Sequence, residues 1–319
     1  MKEIFTRIGQ IGILPVIVLE RADDAEPLAD ALMKGGLPAA EVTFRTTAAR
    51  ESIERIAKTF PEMLLGAGTV LTIEQVKAAR GAGAQFIVTP GLNPTIVEYC
   101  LKENIPITPG IATSSELSRA VEYGLDVVKF FPAEANGGIE YLKAISGPFR
   151  SVSFIPTGGI DETNLNNYLS FSRVLACGGS WMVKPDLLKN NQYDEITRRA
   201  TQAINKMLNF SLRHVGINTA DAKEAENVAG QLFNIVGFPM NVTTGSIFVG
   251  AQFEVLKRQY LGAHGHIAIG TNSIERAVAY LSRKGIGIKP ETKNEKDGKL
   301  QTVYLDIEIG GFAIHLAQV

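Results

Sequence analysis

The first two thirds of the sequence contain no histidine, and the whole chain contains few cysteines. Only two cysteines, Cys100 and Cys177, occur among 319 residues, which is too few for a disulfide scaffold and typical of a reducing compartment. All four histidines lie in the last third of the chain, at His214, His264, His266 and His315. Because residues 1–213 contain none, we expect no metal centre there. The uneven histidine distribution predicts two parts with different chemistry.

Long apolar runs and an excess of one charge are also absent. No apolar run approaches the roughly 18 residues that a membrane helix needs. Residues 11–19 are apolar, but Pro15 interrupts them and charged residues follow where a signal-peptide cleavage site would stand, so we interpret them as a buried strand. The 32 basic and 33 acidic residues give a net charge of −1, which offers no attraction to a phosphate backbone. We therefore expect a cytoplasmic protein that binds neither membranes nor nucleic acid.

The composition and length favour two folded domains. Hydrophobic residues make up 45% of the chain and charged residues 20%, which supports a packed core and excludes a disordered chain. A long helical pattern begins near Tyr193, and the boundary is expected at residues 205–212. We therefore predict a first domain at residues 1–209 and a smaller one at residues 210–319.

Short apolar runs alternate with amphipathic segments throughout the first domain. Strands are predicted at residues 14–19, 39–44, 64–67, 85–88, 105–108, 126–130, 152–155 and 173–176. Helices between them include residues 23–34, 47–58, 73–82 and 114–123. Eight strands, each followed by a helix, predict an α/β protein with a (β/α)8 TIM barrel. A doubly wound open sheet is the alternative, but the glycine-rich dinucleotide turn after its first strand is missing.

Lys129 is the sharpest feature of this domain. It interrupts a strand that is otherwise hydrophobic on both sides, from Val127 to Phe131. Burial disfavours the charged ammonium group and favours the neutral amine, which is a nucleophile toward carbonyls. The alternative is a lysine whose stem is buried while its amine reaches water at the strand end. We favour the catalytic interpretation because several loops converge at this end of a barrel.

Other candidate residues follow the second to sixth strands. Glu41 and Arg45 lie at the end of the second strand, where a surface ion pair is the alternative interpretation. Beside a reactive lysine, a carboxylate suits proton transfer and a guanidinium suits a substrate carboxylate. Thr69, Pro90 and Phe131 are candidates for the pocket walls.

Glycine pairs follow the seventh and eighth strands. Gly158 and Gly159 follow one strand, and Gly179 and Ser180 follow the next. Loops at these two positions of a barrel often bind phosphate through backbone amides, although glycine also serves simple turns. Without histidine, a metal-dependent aldol reaction is disfavoured and Schiff-base chemistry remains.

Residues 11–203 closely resemble the 2-keto-3-deoxy-6-phosphogluconate (KDPG) aldolase family, which includes 4-hydroxy-2-oxoglutarate (KHG) aldolases. The matching segments are residues 15–18 (PVIV), 41–46 (EVTFRT), 66–70 (GAGTV), 90–92 (PGL), 109–111 (PGI), 128–134 (VKFFPAE), 156–160 (PTGGI) and 178–181 (GGSW). The resemblance implies a class I aldolase that needs no cofactor and forms a homotrimer of barrels.

The resemblance also assigns roles to individual residues. It implies that Lys129 forms the Schiff base and that Glu41 is the acid/base. The other implied roles are contacts with a small 2-oxo acid: Arg45 and Thr69 at its carboxylate, Pro90 and Phe131 at the pocket wall, and Gly158, Gly159, Gly179 and Ser180 at a distal phosphate.

A weak internal repeat marks the second domain. Residues 214–219 (HVGINT) are echoed by residues 266–271 (HIAIGT). Helices are predicted at residues 223–236 and 274–284, and strands at residues 247–256, 302–308 and 312–317. This pattern predicts an α+β domain of two βαβββ units.

The repeat resembles the vicinal-oxygen-chelate fold of glyoxalases and dioxygenases. That resemblance implies a divalent metal held by His214, Glu254, His266 and His315, a set that departs from the usual carboxylate as last ligand. Small neighbours such as Gly216 and Ala268 on the same strand faces leave room for a metal, but equally suit satisfied core histidines. His264 is interpreted as a loop residue.

Two kinds of function compete for the whole chain. The main hypothesis is cleavage of KDPG to pyruvate and glyceraldehyde 3-phosphate, with KHG cleavage as its rival. The alternative of a different class makes the second domain a small-molecule-binding or regulatory module attached to the barrel. Activity of a chain shortened near Leu208 would separate these.

Overall fold

The computed structural model describes all residues 1–319, which form two compact units at Met1–Met207 and Leu208–Val319. None of its helices combines the length and apolar character required to cross a bilayer.

Strands and helices alternate in the N-terminal unit. In chain order they are α1 (Lys2–Ile11), β1 (Ile13–Ile17), α2 (Ala25–Lys34), β2 (Ala39–Thr43), α3 (Ala49–Thr59), β3 (Leu64–Gly68), α4 (Ile73–Gly81), β4 (Phe86–Val88), α5 (Pro94–Lys102), β5 (Ile107–Thr108), β6 (Gly110–Ile111), α6 (Ser114–Glu122), β7 (Val127–Phe130), α7 (Gly138–Ser146), β8 (Ser153–Pro156), α8 (Leu165–Leu169), β9 (Cys177–Gly179), α9 (Pro185–Lys189) and α10 (Tyr193–Leu208).

The strands of this unit form a curled parallel sheet. One section has the order β5-β4-β3-β2-β1-β9 and another has the order β6-β7-β8. All their pairings are parallel. Parallel bridges at Phe154–Val174 and Thr157–Gly178 connect β8 with the segment that contains β9. The carboxyl ends of these strands therefore lie at one edge, where βα loops can assemble a site.

Local sequence signals account for several helix starts. Thr72 caps α4, Asn93 caps α5 immediately before Pro94, and Thr113 forms a reciprocal capping box with Glu116 at α6. Each cap satisfies backbone N–H groups that the first helical turn leaves unpaired. Sequence patterns detect such helix starts well, because a short polar side chain stands directly before an amphipathic segment.

The predicted eighth strand is wrong by several residues. Val174 and Ala176 of the predicted strand at residues 173–176 are buried, but the strand that pairs with β1 is β9, which begins at Cys177. Two of its three residues are glycines, which a strand prediction treats as loop residues. The predicted fifth strand at residues 105–108 contains β5, and a second short strand, β6, follows after Pro109, which has no N–H for a ladder hydrogen bond.

The C-terminal unit contains two successive β-α-β-β-β segments. The first has β10 (Ser211–Asn218), α11 (Ala222–Val236), β11 (Met240–Val242), β12 (Ser246–Val249) and β13 (Phe253–Leu256). The second has β14 (Gly265–Thr271), α12 (Ile274–Arg283), β15 (Asn294–Lys296), β16 (Lys299–Ile309) and β17 (Phe312–Gln318). Together they form one eight-stranded sheet of order β11-β12-β13-β10-β14-β17-β16-β15.

The two segments occupy equivalent halves of this sheet. β10 and β14 pair antiparallel at its centre, and each has the last strand of its own segment as a parallel neighbour. The predicted single strand at residues 247–256 is wrong. Gly250, with φ of 63°, lies in the turn that separates β12 from β13.

Candidate active site and histidine cluster

Lys129 and Glu41 meet inside the curled sheet of the N-terminal unit. Lys129 lies on β7 and Glu41 on β2, and their side chains are 6% and 1% exposed. The Lys129 Nζ atom is 3.5 Å from Glu41 Oε1. A buried charge pair of this kind is costly to desolvate and often no more stabilising than an apolar pair. Its burial among apolar strands therefore fits a chemical role better than a purely structural one.

Glycines on neighbouring strands allow close packing around this pair. A Cβ atom at Gly68 would lie 2.2 Å from Glu41 Oε1, so β3 accommodates the carboxylate only because this residue has no side chain. Gly110 pairs in register with Lys129, and a Cβ atom there would lie 2.1 Å from the Pro90 carbonyl oxygen. These contacts explain why both segments carry glycine where a sequence pattern alone suggests only turns.

The other candidate pocket residues follow the same strand ends. The Lys129 Nζ atom is 4.9 Å from the centre of the Phe131 ring, which places an aromatic wall beside the amine. Thr69 and Pro90 are half-buried after β3 and β4, and Arg45 is exposed in the turn after β2. Thr69 has a φ of 54°, an uncommon conformation for a non-glycine residue. Such strained residues cluster at functional sites.

The two glycine loops are neighbours in the structure. Thr157 and Gly178 are bridge partners, so the segments that follow β8 and β9 start side by side. Gly158 and Gly159 have φ values of 98° and 81°, which L side chains rarely adopt. Gly179 is buried, and Ser180 after it is exposed. Backbone N–H groups in such loops can approach an anion closely.

Four predicted ligands converge in the C-terminal unit. His214 and His266 lie on the central strands β10 and β14, while Glu254 and His315 lie on their parallel neighbours β13 and β17. The Nε2 atoms of His214 and His266 are 3.0 Å apart. Glu254 Oε2 is 3.2 Å from the first and 3.3 Å from the second. The ligand atoms of the three histidines all lie within 4.8 Å of one another.

The separations among His214, His266 and Glu254 fit the ligand shell of a divalent metal. With metal–nitrogen bonds of about 2.1 Å, neighbouring ligand atoms lie roughly 3.0–3.4 Å apart in octahedral or tetrahedral geometry. His266 Nδ1 is buried without a hydrogen-bond partner. Gly216 is needed opposite His266, because a Cβ atom there would lie 2.1 Å from the imidazole ring. The sheet thus makes space for the ring that faces Glu254.

The electrostatics of the cluster favour metal-binding protonation states. Burial opposes ionisation of Glu254, yet its contacts with His214 and His266 outweigh burial and hold the pKa of this carboxyl well below its usual range. Burial, assisted by the neighbouring His266, lowers the pKa of His315 to about 4. At neutral pH this gives an anionic carboxylate and a neutral imidazole, the forms that bind metals.

Sequence patterns missed two aromatic residues of the cluster. The Tyr304 ring on β16 lies 4.8 Å from the His315 ring, and Phe248 on β12 lies 6.0 Å from His214 between ring centres. The two aromatic residues occupy equivalent positions in the two repeats. Tyr304 is the register partner of His315, and Phe248 is the register partner of Glu254. A register comparison of the two repeats would have found them. His264 precedes β14 and contacts Phe312, with ring centres 5.7 Å apart, rather than the cluster.

Comparison with known proteins concerns mainly the N-terminal unit. Residues 4–199 match the protein family described as KDPG and KHG aldolase. A Treponema pallidum protein named 2-dehydro-3-deoxy-phosphogluconate aldolase is 48% identical over 204 residues, which cover 64% of this chain and 97% of that protein. An Escherichia coli protein named KHG/KDPG aldolase is 47% identical over 192 residues, 60% of this chain and 90% of its own.

A solved structure has the same fold and contains a trapped intermediate. It is KDPG aldolase from Legionella pneumophila, with pyruvate captured at low pH as a covalent carbinolamine. Its sequence is 42% identical, its TM-score is 0.61, and the match covers 62% of this chain and 97% of that one.

Proposed function

Because the chain belongs to the KDPG and KHG aldolase family, we infer that it is a class I aldolase that cleaves 2-keto-3-deoxy-6-phosphogluconate to pyruvate and glyceraldehyde 3-phosphate. The names of relatives that are 47–48% identical support this substrate. The buried Lys129–Glu41 pair carries the chemical assignment, since it places one nucleophile and one carboxylate in contact at the strand ends.

We propose that Lys129 starts the reaction. Its neutral amine attacks the C2 carbonyl of the 2-oxo acid to give a carbinolamine, which loses water and becomes an iminium ion. The carbinolamine trapped in the Legionella pneumophila relative supports this step. The iminium ion is an electron sink, so it stabilises the negative charge that develops at C3 when the C3–C4 bond breaks.

Glu41 is the general base of the cleavage step in this proposal. Its carboxylate, directly or through a water molecule, takes the proton of the C4 hydroxyl group. The C4 oxygen then forms the aldehyde carbonyl, and the electrons of the C3–C4 bond move into the iminium to give an enamine. Protonation of the enamine at C3 and hydrolysis release pyruvate and restore the Lys129 amine.

The remaining candidates hold the substrate by charge and shape. Arg45 and Thr69 are proposed to bind the substrate carboxylate, because a guanidinium offers paired donors to two carboxylate oxygens. Pro90 and Phe131 form the wall around the reacting carbons. The distal phosphate is bound by the loops after β8 and β9 through Gly158, Gly159, Gly179 and Ser180.

Borohydride trapping with pyruvate tests the assignment. Reduction of the imine should leave a stable pyruvate-derived adduct on Lys129, located by peptide mass mapping. A matched control is Lys143→Met, because Lys143 also pairs with a glutamate, Glu140, but at the exposed surface at 2.9 Å. That variant should keep the adduct on Lys129. Failure to trap an adduct on the folded protein would remove the imine mechanism.

Cleavage of 4-hydroxy-2-oxoglutarate to pyruvate and glyoxylate is the second candidate activity. The Escherichia coli relative, 47% identical, carries both KHG and KDPG in its name, which is the observation that favours it. The two substrates share the 2-oxo acid end and differ in the phosphate. Comparison of kcat/KM for both therefore measures the contribution of the glycine loops.

We also propose a closed (β/α)8 barrel for residues 1–209, assembled as a homotrimer in the cytoplasm. Chain continuity through Pro109 and the bridges between β8 and β9 support closure. Two cysteines in 319 residues suit a reducing compartment. Sedimentation of the full chain would test the trimer.

For residues 210–319 we propose a glyoxalase-like domain that binds a divalent metal. His214, Glu254, His266 and His315 would hold the ion, and their converging ligand atoms support this. Bound metal would supply Lewis acidity or anchor a small-molecule ligand. Elemental analysis should find one metal per chain in the wild type and a large loss in His266→Ala. Equal metal content in both would exclude this site.

A further inference from the structure

A hydrogen bond between a buried tyrosine and an exposed glutamate connects the segment after Lys129 to the helix after the first glycine loop. Glu134 follows Lys129 by five residues, and Tyr168 lies on α8. The Tyr168 hydroxyl group donates a short hydrogen bond to Glu134 Oε1, and Tyr168 is 1% exposed. Burial, together with this carboxylate, raises the pKa of Tyr168 above its usual value, so the hydroxyl group stays protonated and remains a donor.

The same glutamate holds the loop at Gly158 and Gly159 through its backbone and its side chain. The Glu134 N–H group donates to the Gly158 carbonyl oxygen at 3.0 Å, and the preceding Ala133 N–H group donates to Thr157 at 2.8 Å. A Cβ atom at Gly159 would lie 2.6 Å from the Glu134 Cβ and Cγ atoms. The loop therefore rests directly against the glutamate side chain.

The loop is fixed from its other side by the start of α8. The Asn164 Nδ2 group donates to the Gly159 carbonyl oxygen at 3.0 Å, and Asn164 precedes the first residue of α8. Tyr168 lies four residues later on the same helix. The hydrogen bond from Tyr168 to Glu134 therefore closes a ring of contacts: the segment after Lys129, the glycine loop, α8, and back to the segment after Lys129.

We propose that the Glu134–Tyr168 hydrogen bond is a positioning element that fixes the Gly158–Gly159 loop relative to Lys129 and so sets the preference for a phosphorylated 2-oxo acid. This inference rests on the proposed function, in which that loop binds the distal phosphate. Both side chains act through the loop and neither contacts the reacting carbons. Amide donors discriminate for phosphate only when they are held at the correct distance from the reacting group.

Glycine at position 138 allows the chain to pass close to both groups. A Cβ atom there would lie 3.2 Å from Glu134 Oε1 and 3.4 Å from the Tyr168 hydroxyl oxygen, and its φ is 66°. The chain thus turns closely over the two hydrogen-bonded groups. A hydrogen bond to a carboxylate is stronger than one between neutral groups.

Three variants in the full-length protein separate positioning from simple packing. Tyr168→Phe removes only the donor, Glu134→Ala removes the acceptor, and Glu134→Gln retains an oxygen acceptor. For Tyr168→Phe and Glu134→Ala we expect KM for KDPG to rise about tenfold with kcat within about twofold, because a hydrogen bond to a charged group contributes roughly that much. KM for KHG should stay unchanged, and Glu134→Gln should restore most of the KDPG affinity.

Tyr123→Phe is the matched control, because Tyr123 donates to Glu98 at 3.0 Å on the exposed surface of the same unit. This variant should leave KM unchanged for both substrates. Equal losses for KDPG and KHG in Tyr168→Phe would identify a general packing role, and unchanged KM for both would exclude any role; either result overturns the inference. Failure of the proposed function is distinguishable, because the wild-type enzyme would then cleave neither substrate.

Discussion

The two units bury ionisable groups in opposite arrangements. In the N-terminal unit, one amine and one carboxylate face each other at 3.5 Å, with an aromatic ring beside the amine. In the C-terminal unit, three imidazoles and one carboxylate converge, and two contacts of Glu254 lie at 3.2 and 3.3 Å. The first set has a single nucleophile. The second brings several nitrogen and oxygen donor atoms together.

This difference bears on whether each site requires a bound cation. A lysine amine can condense with a carbonyl group to form a cationic iminium ion, so the chemistry proposed for the N-terminal site needs no metal. In the C-terminal unit, burial lowers the pKa of His315 to about 4, so this imidazole offers the Glu254 carboxylate no positive charge at neutral pH. The divalent cation proposed for this cluster would supply such a charge, whereas the proposed N-terminal chemistry does not require it.

The largest expected effect is that of replacing Lys129. Lys129→Arg retains a positive charge beside Glu41 but has no nucleophilic amine, because a guanidinium stays protonated. We expect kcat to fall on the order of 10⁴-fold or more, as for other catalytic nucleophiles. Steady-state cleavage of KDPG, with aldehyde release coupled to a dehydrogenase, measures it.

Lys143→Met is again the matched control, and it should retain wild-type turnover. If Lys129→Arg kept more than about one per cent of the activity, the lysine would serve as a charge rather than as a nucleophile. The contrast between a covalent site and an ion-binding site would then be lost.

A smaller effect is expected from Glu41→Gln. The amide has nearly the same shape, but it cannot accept the C4 hydroxyl proton, so kcat should fall about 10²- to 10⁴-fold. Borohydride trapping of pyruvate should still label Lys129, which shows that the amine remains reactive. Turnover equal to that of the wild type would assign the base to another group and reduce Glu41 to a charge partner.

Sequence patterns predict these sites to different extents for physical reasons. A lysine within an apolar strand is conspicuous because desolvation makes it rare, and Lys129 is indeed buried against Glu41. The strand at Cys177–Gly179 was misplaced because backbone pairing with β1, not side-chain hydrophobicity, selects it. The contact between Glu134 and Tyr168 gave no signal either, although Glu134 ends the matched segment 128–134. They are 34 residues apart, and only the tertiary fold brings them together.

The smallest effect on turnover, and the most direct test of the contrast, is expected from metal removal. Dialysis against a chelator should leave KDPG cleavage within about twofold of its starting rate, since Lys129 needs no metal. The same treatment should lower the thermal stability of the C-terminal unit, because a ligand at 100 times its Kd stabilises a folded protein by about 2.7 kcal/mol. His315→Ala should show the lowered stability before dialysis and no further change after it.

Loss of aldolase turnover on dialysis, restored by added Zn²⁺ or Mn²⁺, would instead show that the two sites are coupled. In that case the cation expected at the histidine cluster would be part of the cleavage reaction, and the division of chemistry between the two units would be wrong.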